Sequence, residues 1–219
     1  MKKRFLRREF VSRIGLGTLS VATLGACSSR EKPQSGGDDK QPGSSFKEEL
    51  AKMRKMPRDL VMKMLDQKVD QYMQRSHHCA QSSFMALKEQ FGLEGDQVFR
   101  ALTPLPGIAE RGETCGAVTG PLMAMGLIYG RDIRQMEDWD NYQASLVPAG
   151  SFCDRFEKEF GTTLCHEVQE TKFGRCYRLT DPGELQDFQN AGATEQCSAV
   201  VRSAVHMAAE IILEDPGLS

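Results

Sequence analysis

Six cysteines in the body of the chain are the residues best suited to chemistry. Four of them stand in or just before the first turn of a predicted helix: Cys79, Cys115, Cys165 and Cys197. Each follows a residue of a type that commonly caps helix N-termini: Ser76, Thr114, Thr163 and Thr194. A helix N-terminus presents free N–H groups and partial positive charge, so it favours a thiolate over a thiol. If the four helix starts converge, we expect a site that binds a metal or cluster, or that cycles between thiol and disulfide.

The spacing of these cysteines excludes several common sites but does not select one chemistry. The gaps between them are 36, 50 and 32 residues. The absence of a C-x-x-C pair argues against a thioredoxin-like dithiol and a zinc ribbon, and the absence of C-x-x-C-H argues against c-type haem. Three structural disulfides among the six cysteines are the alternative. Stable disulfides, a metal or iron-sulfur site and thiol cycling all stay open at this point.

Histidines flank two of the four cysteines. His77 and His78 precede Cys79, and His166 follows Cys165. His78 and His166 are therefore candidate metal ligands or proton donors to a departing thiolate. Solvated histidines that cap the helices are the interpretation that we favour. His206, inside the last predicted helix, is expected to be structural.

The seventh cysteine belongs to an export signal. Cys27 follows Leu24-Gly25-Ala26 and an uncharged stretch of about 13 residues, too short for the ~20 residues of a membrane-spanning helix. Arg7-Arg8 stand before Phe10, an arrangement typical of twin-arginine signals, although a basic flank also occurs in ordinary secretion signals. We expect residues 1–26 to be removed, the folded chain to pass through the twin-arginine export machinery, and a lipid on Cys27 to anchor it to the membrane. On the periplasmic side disulfides can persist.

Size and charge predict one domain after this signal. Removal of residues 1–26 leaves 193 residues with 22 basic and 29 acidic side chains, a net charge of −7. Such a surface disfavours nucleic acid. Residues 27–45 carry no apolar side chain after Cys27 that could join a core, so they are predicted to be a flexible tether. Residues 46–219 are predicted to form the folded helical domain.

Apolar residues recur at helical spacing along this domain, and no stretch alternates like a strand. The sequence therefore predicts an all-α fold, a compact bundle of about five to seven helices. We expect a break at Pro57, another at residues 148–150, a bend at Pro121 and a loop over residues 171–183. The predicted helices cover residues 46–75, 78–91, 96–102, 115–129, 133–160, a segment carrying Cys165, and 195–214.

One predicted helix carries small residues on a single face. Gly116, Gly120 and Ala124 recur every four residues. This face allows another backbone to approach closely. We expect it to bring Cys79 beside Cys115, with Cys165 and Cys197 in the same region.

The segment around Cys115 reads Gly-Glu-Thr-Cys-Gly-Ala-Val-Thr-Gly (residues 112–120). It resembles the Cys-Gly-Ala-x-x-Gly motif of the C-GCAxxG-C-C family of redox-active proteins. The family's other three cysteines have counterparts in an early helix, after a Phe-Gly turn and at the start of the last helix: Cys79, Cys165 and Cys197. The resemblance covers about residues 58–213 and implies a small helical redox or cofactor domain, with Gly116 and Gly120 next to the cofactor. Cys153, Cys176 and Pro121 depart from the pattern.

These observations predict an exported, lipid-anchored redox protein that uses the four motif cysteines. They act either as catalytic thiols or as ligands of a metal or iron-sulfur cluster. The protein is then an oxidoreductase or an electron-transfer component, and it has a redox partner protein. The alternative is a binding or structural lipoprotein stabilised by disulfides.

Overall fold

A computed structural model describes residues 44–218. The predicted signal, Cys27 and nearly all of the predicted tether lie outside the described residues. Within them the all-α prediction is confirmed, with ten α-helices. The helices are α1 (Ser44–Lys55), α2 (Arg58–Ser76), α3 (Cys79–Phe91), α4 (Asp96–Ala101), α5 (Gly107–Glu110), α6 (Gly116–Tyr129), α7 (Trp139–Phe160), α8 (Cys165–Phe173), α9 (Pro182–Asn190) and α10 (Ala193–Glu214).

Short helices raise this number above the five to seven that the sequence predicts. The helix α9 begins where a loop was expected to end, because Asp181 caps it by accepting hydrogen bonds from the N–H groups of Gly183 and Glu184. Pro182 stands in its first turn, where its missing N–H has no cost. The expected break at residues 148–150 is wrong, since α7 runs through Pro148 without interruption.

The helix α3 lies at the centre of the fold and packs against α2, α6 and α10. Its inner face buries Phe84, Leu87 and Phe91 completely. The long helix α10 adds Val201, Val205 and Ile212 to the same core, and these side chains are also fully or almost fully buried. The core therefore fixes the start of α3, where Cys79 lies. No helix within residues 44–218 is long and apolar enough to cross a membrane.

Close packing between α3 and α6 depends on two glycines, as the sequence predicts. A Cβ atom on Gly116 would overlap the Cys79 sulfur and lie 2.8 Å from the Ala80 nitrogen. A Cβ atom on Gly120 would overlap the Ala80 carbonyl oxygen and the Ser83 hydroxyl. Any larger residue at either position would push the two helices apart. The helix α6 remains continuous from Gly116 to Tyr129 and includes Pro121, which is buried.

The segment α5 is a left-handed turn. Gly107, Ile108, Ala109 and Glu110 all have φ between 46° and 59°. The left-handed conformation costs an L-residue roughly 1–2 kcal/mol, and three of the four residues are not glycine. The turn is closed by the N–H groups of Glu110 and Arg111, which donate to the carbonyls of Pro106 and Gly107 at 2.9 Å each. This strained turn precedes the Cys115 motif directly.

Candidate functional site

The four motif cysteines lie together. They line one cavity of about 290 Å³ between α3, α6, α8, α9 and α10. All six cysteines of the described residues are free thiols. The fold therefore brings Cys79 and Cys115 together, as the small face of α6 predicts, and adds Cys165 and Cys197 to the same region.

Three of the four cysteines stand at helix starts, and the fourth does not. Cys79 and Cys165 are the first residues of α3 and α8, and Cys115 is the N-cap of α6. The prediction that Cys197 stands in the first turn of its helix is wrong, because α10 begins at Ala193 and Cys197 follows one turn later. The prediction that Ser76, Thr114, Thr163 and Thr194 cap these helices is also wrong. The capping positions are occupied by His78, Cys115, Leu164 and Gly192.

Backbone hydrogen bonds join the segments that precede Cys115 and Cys165. We call this contact the cysteine clasp; it pairs residues 112–115 with residues 163–166. Its bonds run from the N–H of Cys115 to the carbonyl of Thr163 (2.8 Å), from Cys165 to Glu113 (2.7 Å) and from His166 to Gly112 (3.0 Å). Thr114 and Leu164 stand opposite each other in antiparallel fashion. Thr114 and Thr163 therefore serve the clasp instead of capping helices.

The sulfurs of Cys79, Cys115 and Cys165 interact with one another. The Cys115 thiol donates toward Cys165 and Cys79, and these interactions, together with burial, raise the pKa of Cys115 well above its usual value. The bond from Cys115 lowers the pKa of Cys165, and the side-chain amide of Gln169 adds a second donor at 3.4 Å. The site thus pairs a thiol that retains its proton with a neighbour that favours the thiolate.

This assignment reverses one expectation. The helix-start argument predicts that Cys115, like the other three motif cysteines, favours the thiolate, but Cys115 is only 6 % exposed. Its S–H group is the donor in the hydrogen bond that stabilises charge on Cys165. Burial and donation outweigh the partial charge of the α6 N-terminus, because desolvation penalises the thiolate of a fully buried cysteine.

The fourth thiol and a carboxyl group complete the cavity wall. Burial raises the pKa of Cys197, and the nearby charges of Cys79, Cys165 and Glu110 raise it further. Glu110, at the end of the left-handed turn, also lines the cavity. Burial raises the pKa of this carboxyl too. Burial therefore shifts the pKa of both groups upward, whereas the pKa of the neighbouring Cys165 is lowered.

The histidines hold the backbone in place. His78 caps α3, since its Nδ1 accepts from the N–H of Gln81 at 3.1 Å, and its Nε2 lies 3.1 Å from the Thr103 carbonyl. The Nδ1 of His166 lies 2.7 Å from the Gly112 carbonyl and reinforces the clasp. His78 therefore caps a helix, as the sequence interpretation expects, whereas His166 contacts the Gly112 carbonyl and caps none.

Two other histidines have side-chain partners. His77 lines the cavity, and its Nδ1 lies 3.0 Å from the Thr194 hydroxyl. His206 is remote from the thiols, with its Nε2 2.7 Å from a carboxylate oxygen of Asp66.

The arrangement of the cysteine, histidine and acidic side chains decides whether they could bind a metal ion. Among residues 44–218, no three side chains of the His, Cys, Asp or Glu types are arranged so that they could hold a metal ion. The sulfurs are instead hydrogen-bonded to one another.

Cys153 and Cys176 lie apart from this group. Cys153 packs against the core from α7, and burial followed by the charges of Glu157 and Asp154 raises its pKa. Cys176 is exposed in the loop after α8. Neither lines the cavity, so we expect neither to take part in its chemistry.

We expect Cys165 to be alkylated at lower pH than Cys115. A depressed pKa means that the Cys165 thiolate is present at pH values where Cys115 is still a protonated thiol, and only the thiolate reacts. Iodoacetamide labelling of the reduced protein across a pH series, with peptide mass spectrometry for each site, measures both profiles. An alkylation midpoint for Cys165 at or above that of Cys115 would contradict the assignment.

Several residues of the cavity were not predicted from the sequence. Glu110 was not predicted because its position depends on a left-handed turn, and three of the four residues of that turn are not glycine. The aromatic side chains Phe173 and Phe188 were missed with α9; their ring centroids lie 5.1 Å apart at the cavity wall. An available signal for α9 was Asp-Pro at residues 181–182, since aspartate at the N-cap and proline in the first turn commonly begin a helix.

Comparison with known proteins gives one match. A family model described as "Putative redox-active protein (C_GCAxxG_C_C)" matches residues 77–211, a span that contains all four motif cysteines. No curated protein and no solved structure matches the chain.

Proposed function

The chain belongs to the C_GCAxxG_C_C family of redox-active proteins, and from this premise we propose that it carries two electrons on the thiol pair Cys115 and Cys165. In the reduced state Cys165 is the thiolate and Cys115 is the thiol. Oxidation joins the two sulfurs in a disulfide, removes two electrons and releases the Cys115 proton. Reduction reverses these steps. This makes the protein a thiol–disulfide oxidoreductase or an electron-transfer component.

The observation that carries this proposal is that Cys115 and Cys165 line one cavity while backbone hydrogen bonds join the segments that carry them. The interaction between the two thiols lowers the pKa of Cys165 and raises that of Cys115, so the pair has distinct nucleophilic and proton-donating members. Thiol–disulfide exchange requires an attacking thiolate and a second thiol that resolves the mixed disulfide. The cysteine clasp holds the two backbones together by hydrogen bonds that do not depend on the redox state of the sulfurs.

The other two motif cysteines have supporting roles in this scheme. Cys79 also receives a hydrogen bond from Cys115 and is thus a second partner for the same sulfur. Cys197, which is half-buried and has a raised pKa, stands near both Cys79 and Cys165. We assign electron storage to Cys115 and Cys165, and transfer to or from a redox partner protein by way of Cys79.

Redox titration tests this function. The reduced protein is equilibrated with dithiothreitol buffers of increasing potential, and free thiols are counted after acid quenching. We expect the loss of two thiols in a reversible step, with Cys115 and Cys165 joined in the peptide map. Retention of all six thiols over the whole range, or a disulfide that includes Cys176, would contradict the proposal.

The location of the protein is part of the proposal. Arg7-Arg8 ahead of Phe10, and Leu-Gly-Ala ahead of Cys27, support twin-arginine export and a lipid anchor on the periplasmic side of the membrane. We expect replacement of Arg7 and Arg8 by lysine to leave the precursor in the cytoplasm, as seen by fractionation. A Cys27→Ser variant should be exported without its membrane anchor. Normal export of the double-lysine variant would rule out the twin-arginine route.

A further inference from the structure

The cavity over the thiols is built mainly from apolar side chains. Its wall includes Met73, Pro106, Val168, Phe173, Phe188 and Val200. Pockets that are predominantly apolar, with few polar groups, are typical sites for small organic molecules. A volume of about 290 Å³ excludes a folded protein domain but admits one substituted aromatic ring. The interior of the cavity therefore suits a small apolar molecule, while a partner protein could reach the thiols only at its opening.

Aromatic side chains form the outer part of this wall. Phe173, Tyr177 and Phe188 contact one another with centroid separations of 5.1 to 5.9 Å. The first and last of these face the cavity. Aromatic rings pack favourably against other aromatic rings in offset or edge-to-face geometry. This wall suits a planar ring better than a flexible chain.

A half-buried carboxyl group is one of the few ionisable groups in this mainly apolar cavity. Glu110 joins the wall from the left-handed turn, and Lys172 and His77 are the other charged or ionisable side chains of the lining besides the cysteines. Its burial raises its pKa toward the neutral acid, which can donate a hydrogen bond to a carbonyl oxygen. A carboxyl group at this position therefore suits an electron acceptor whose carbonyl oxygens are protonated as it is reduced.

We propose that the cavity binds a quinone, which exchanges two electrons with Cys115 and Cys165. This inference rests on the proposed function and adds its small-molecule substrate. The Cys115 thiol and the Cys165 thiolate form a disulfide, releasing two electrons and one proton. The quinone takes both electrons, the proton from Cys115 and a second proton from Glu110, and becomes a hydroquinone. Glu110 remains as a carboxylate and regains its proton from solvent, so charge and atoms balance.

The test uses duroquinone, because its four methyl groups block the ring carbons to which thiols add. Reduced full-length protein is mixed with duroquinone without oxygen, while quinone absorbance and free thiols are followed together. We expect one quinone to be reduced for every two thiols lost, with a rate that saturates as the quinone concentration rises. Intact-mass measurement should show a loss of two hydrogens and no quinone adduct.

Paired variants test whether the reaction takes place in the cavity. Leu185 lines the cavity and is 37 % exposed, whereas Leu60 on α2 is 42 % exposed and lies outside it. We expect Leu185→Asp to raise the half-saturating duroquinone concentration about tenfold, since a charge opposes entry of an apolar ring. Leu60→Asp should leave it unchanged. Glu110→Gln should lower the maximal rate of duroquinone reduction, and circular dichroism checks that this variant is folded. Oxidation by 2-hydroxyethyl disulfide is measured in parallel, as a reaction of the thiol pair that needs no quinone.

The outcomes separate the two proposals. Oxidation by 2-hydroxyethyl disulfide without saturable reduction of duroquinone would overturn the quinone inference and leave the proposed function standing. Equal effects of Leu185→Asp and Leu60→Asp would overturn it as well, because the reaction would then lie elsewhere. If neither oxidant removes two thiols, the proposed function itself fails.

Discussion

Replacement of Cys165 by serine is expected to abolish two-electron cycling. The variant keeps a hydroxyl that can accept the hydrogen bond from Cys115, but it has lost the thiolate nucleophile. We expect the rate of disulfide exchange to fall on the order of 100-fold or more, as is usual when a covalent nucleophile is removed. The rate of reaction with 2-hydroxyethyl disulfide, together with the number of thiols lost, measures the effect.

Cys176→Ser is the matched control for this experiment. Cys176 is exposed and lies outside the cavity, so its replacement removes one thiol without changing the pair. We expect the control to cycle at the rate of the unmodified protein. Unchanged cycling in the Cys165→Ser variant would remove Cys165 from the site and with it the assignment of nucleophile and resolving thiol.

A methyl group added at Gly120 is expected to destabilise the whole fold. The new Cβ atom of Gly120→Ala would overlap the backbone carbonyl of Ala80, which cannot rotate away as a side chain can. Overpacking of this kind costs about 1–3 kcal/mol, and the rigid neighbour places this change at the upper end. Because α3 and α6 would separate, we also expect Cys115 to become easier to alkylate.

Gly126→Ala provides the opposite result in the same helix. A Cβ atom at Gly126 would meet nothing within 4 Å. Alanine is favoured over glycine in a helix interior, so we expect a gain of roughly 0.5–1 kcal/mol. Urea unfolding of both variants, followed by circular dichroism, gives the two free energies. A gain at Gly120 as large as that at Gly126 would mean that helix propensity, and not close approach, controls the effect of a substitution at the α3–α6 contact.

Patterns confined to one helix could be predicted from the sequence. The apolar spacing of α1 to α3 and of α10, and the small face of α6, are local properties of a periodic chain. They were enough to predict the class of fold and the approach of Cys79 to Cys115. The ends of helices were predicted where glycine terminates them, as at Gly92 and Gly161, both of which adopt positive φ.

Properties that depend on contacts between distant segments could not be predicted. The caps at Cys115 and Leu164 depend on the cysteine clasp, which joins residues about 50 positions apart. The protonation of Cys115 depends on burial and on hydrogen bonds to Cys79 and Cys165, and neither is visible in a helix-start pattern. The left-handed turn is stable only because the surrounding structure compensates its strain.

The clasp also affects how freely the rest of the chain can vary in length. Its backbone bonds join main-chain atoms, so they place little demand on the side chains at Glu113, Thr114, Thr163 and Leu164. All of α6 and α7 lies between the two halves of the clasp. An insertion between Gly130 and Asp138 would therefore lengthen the connection between α6 and α7 without moving the sulfurs of Cys115 and Cys165. Such a domain can gain new surface there, and with it new partners, while its chemistry stays the same.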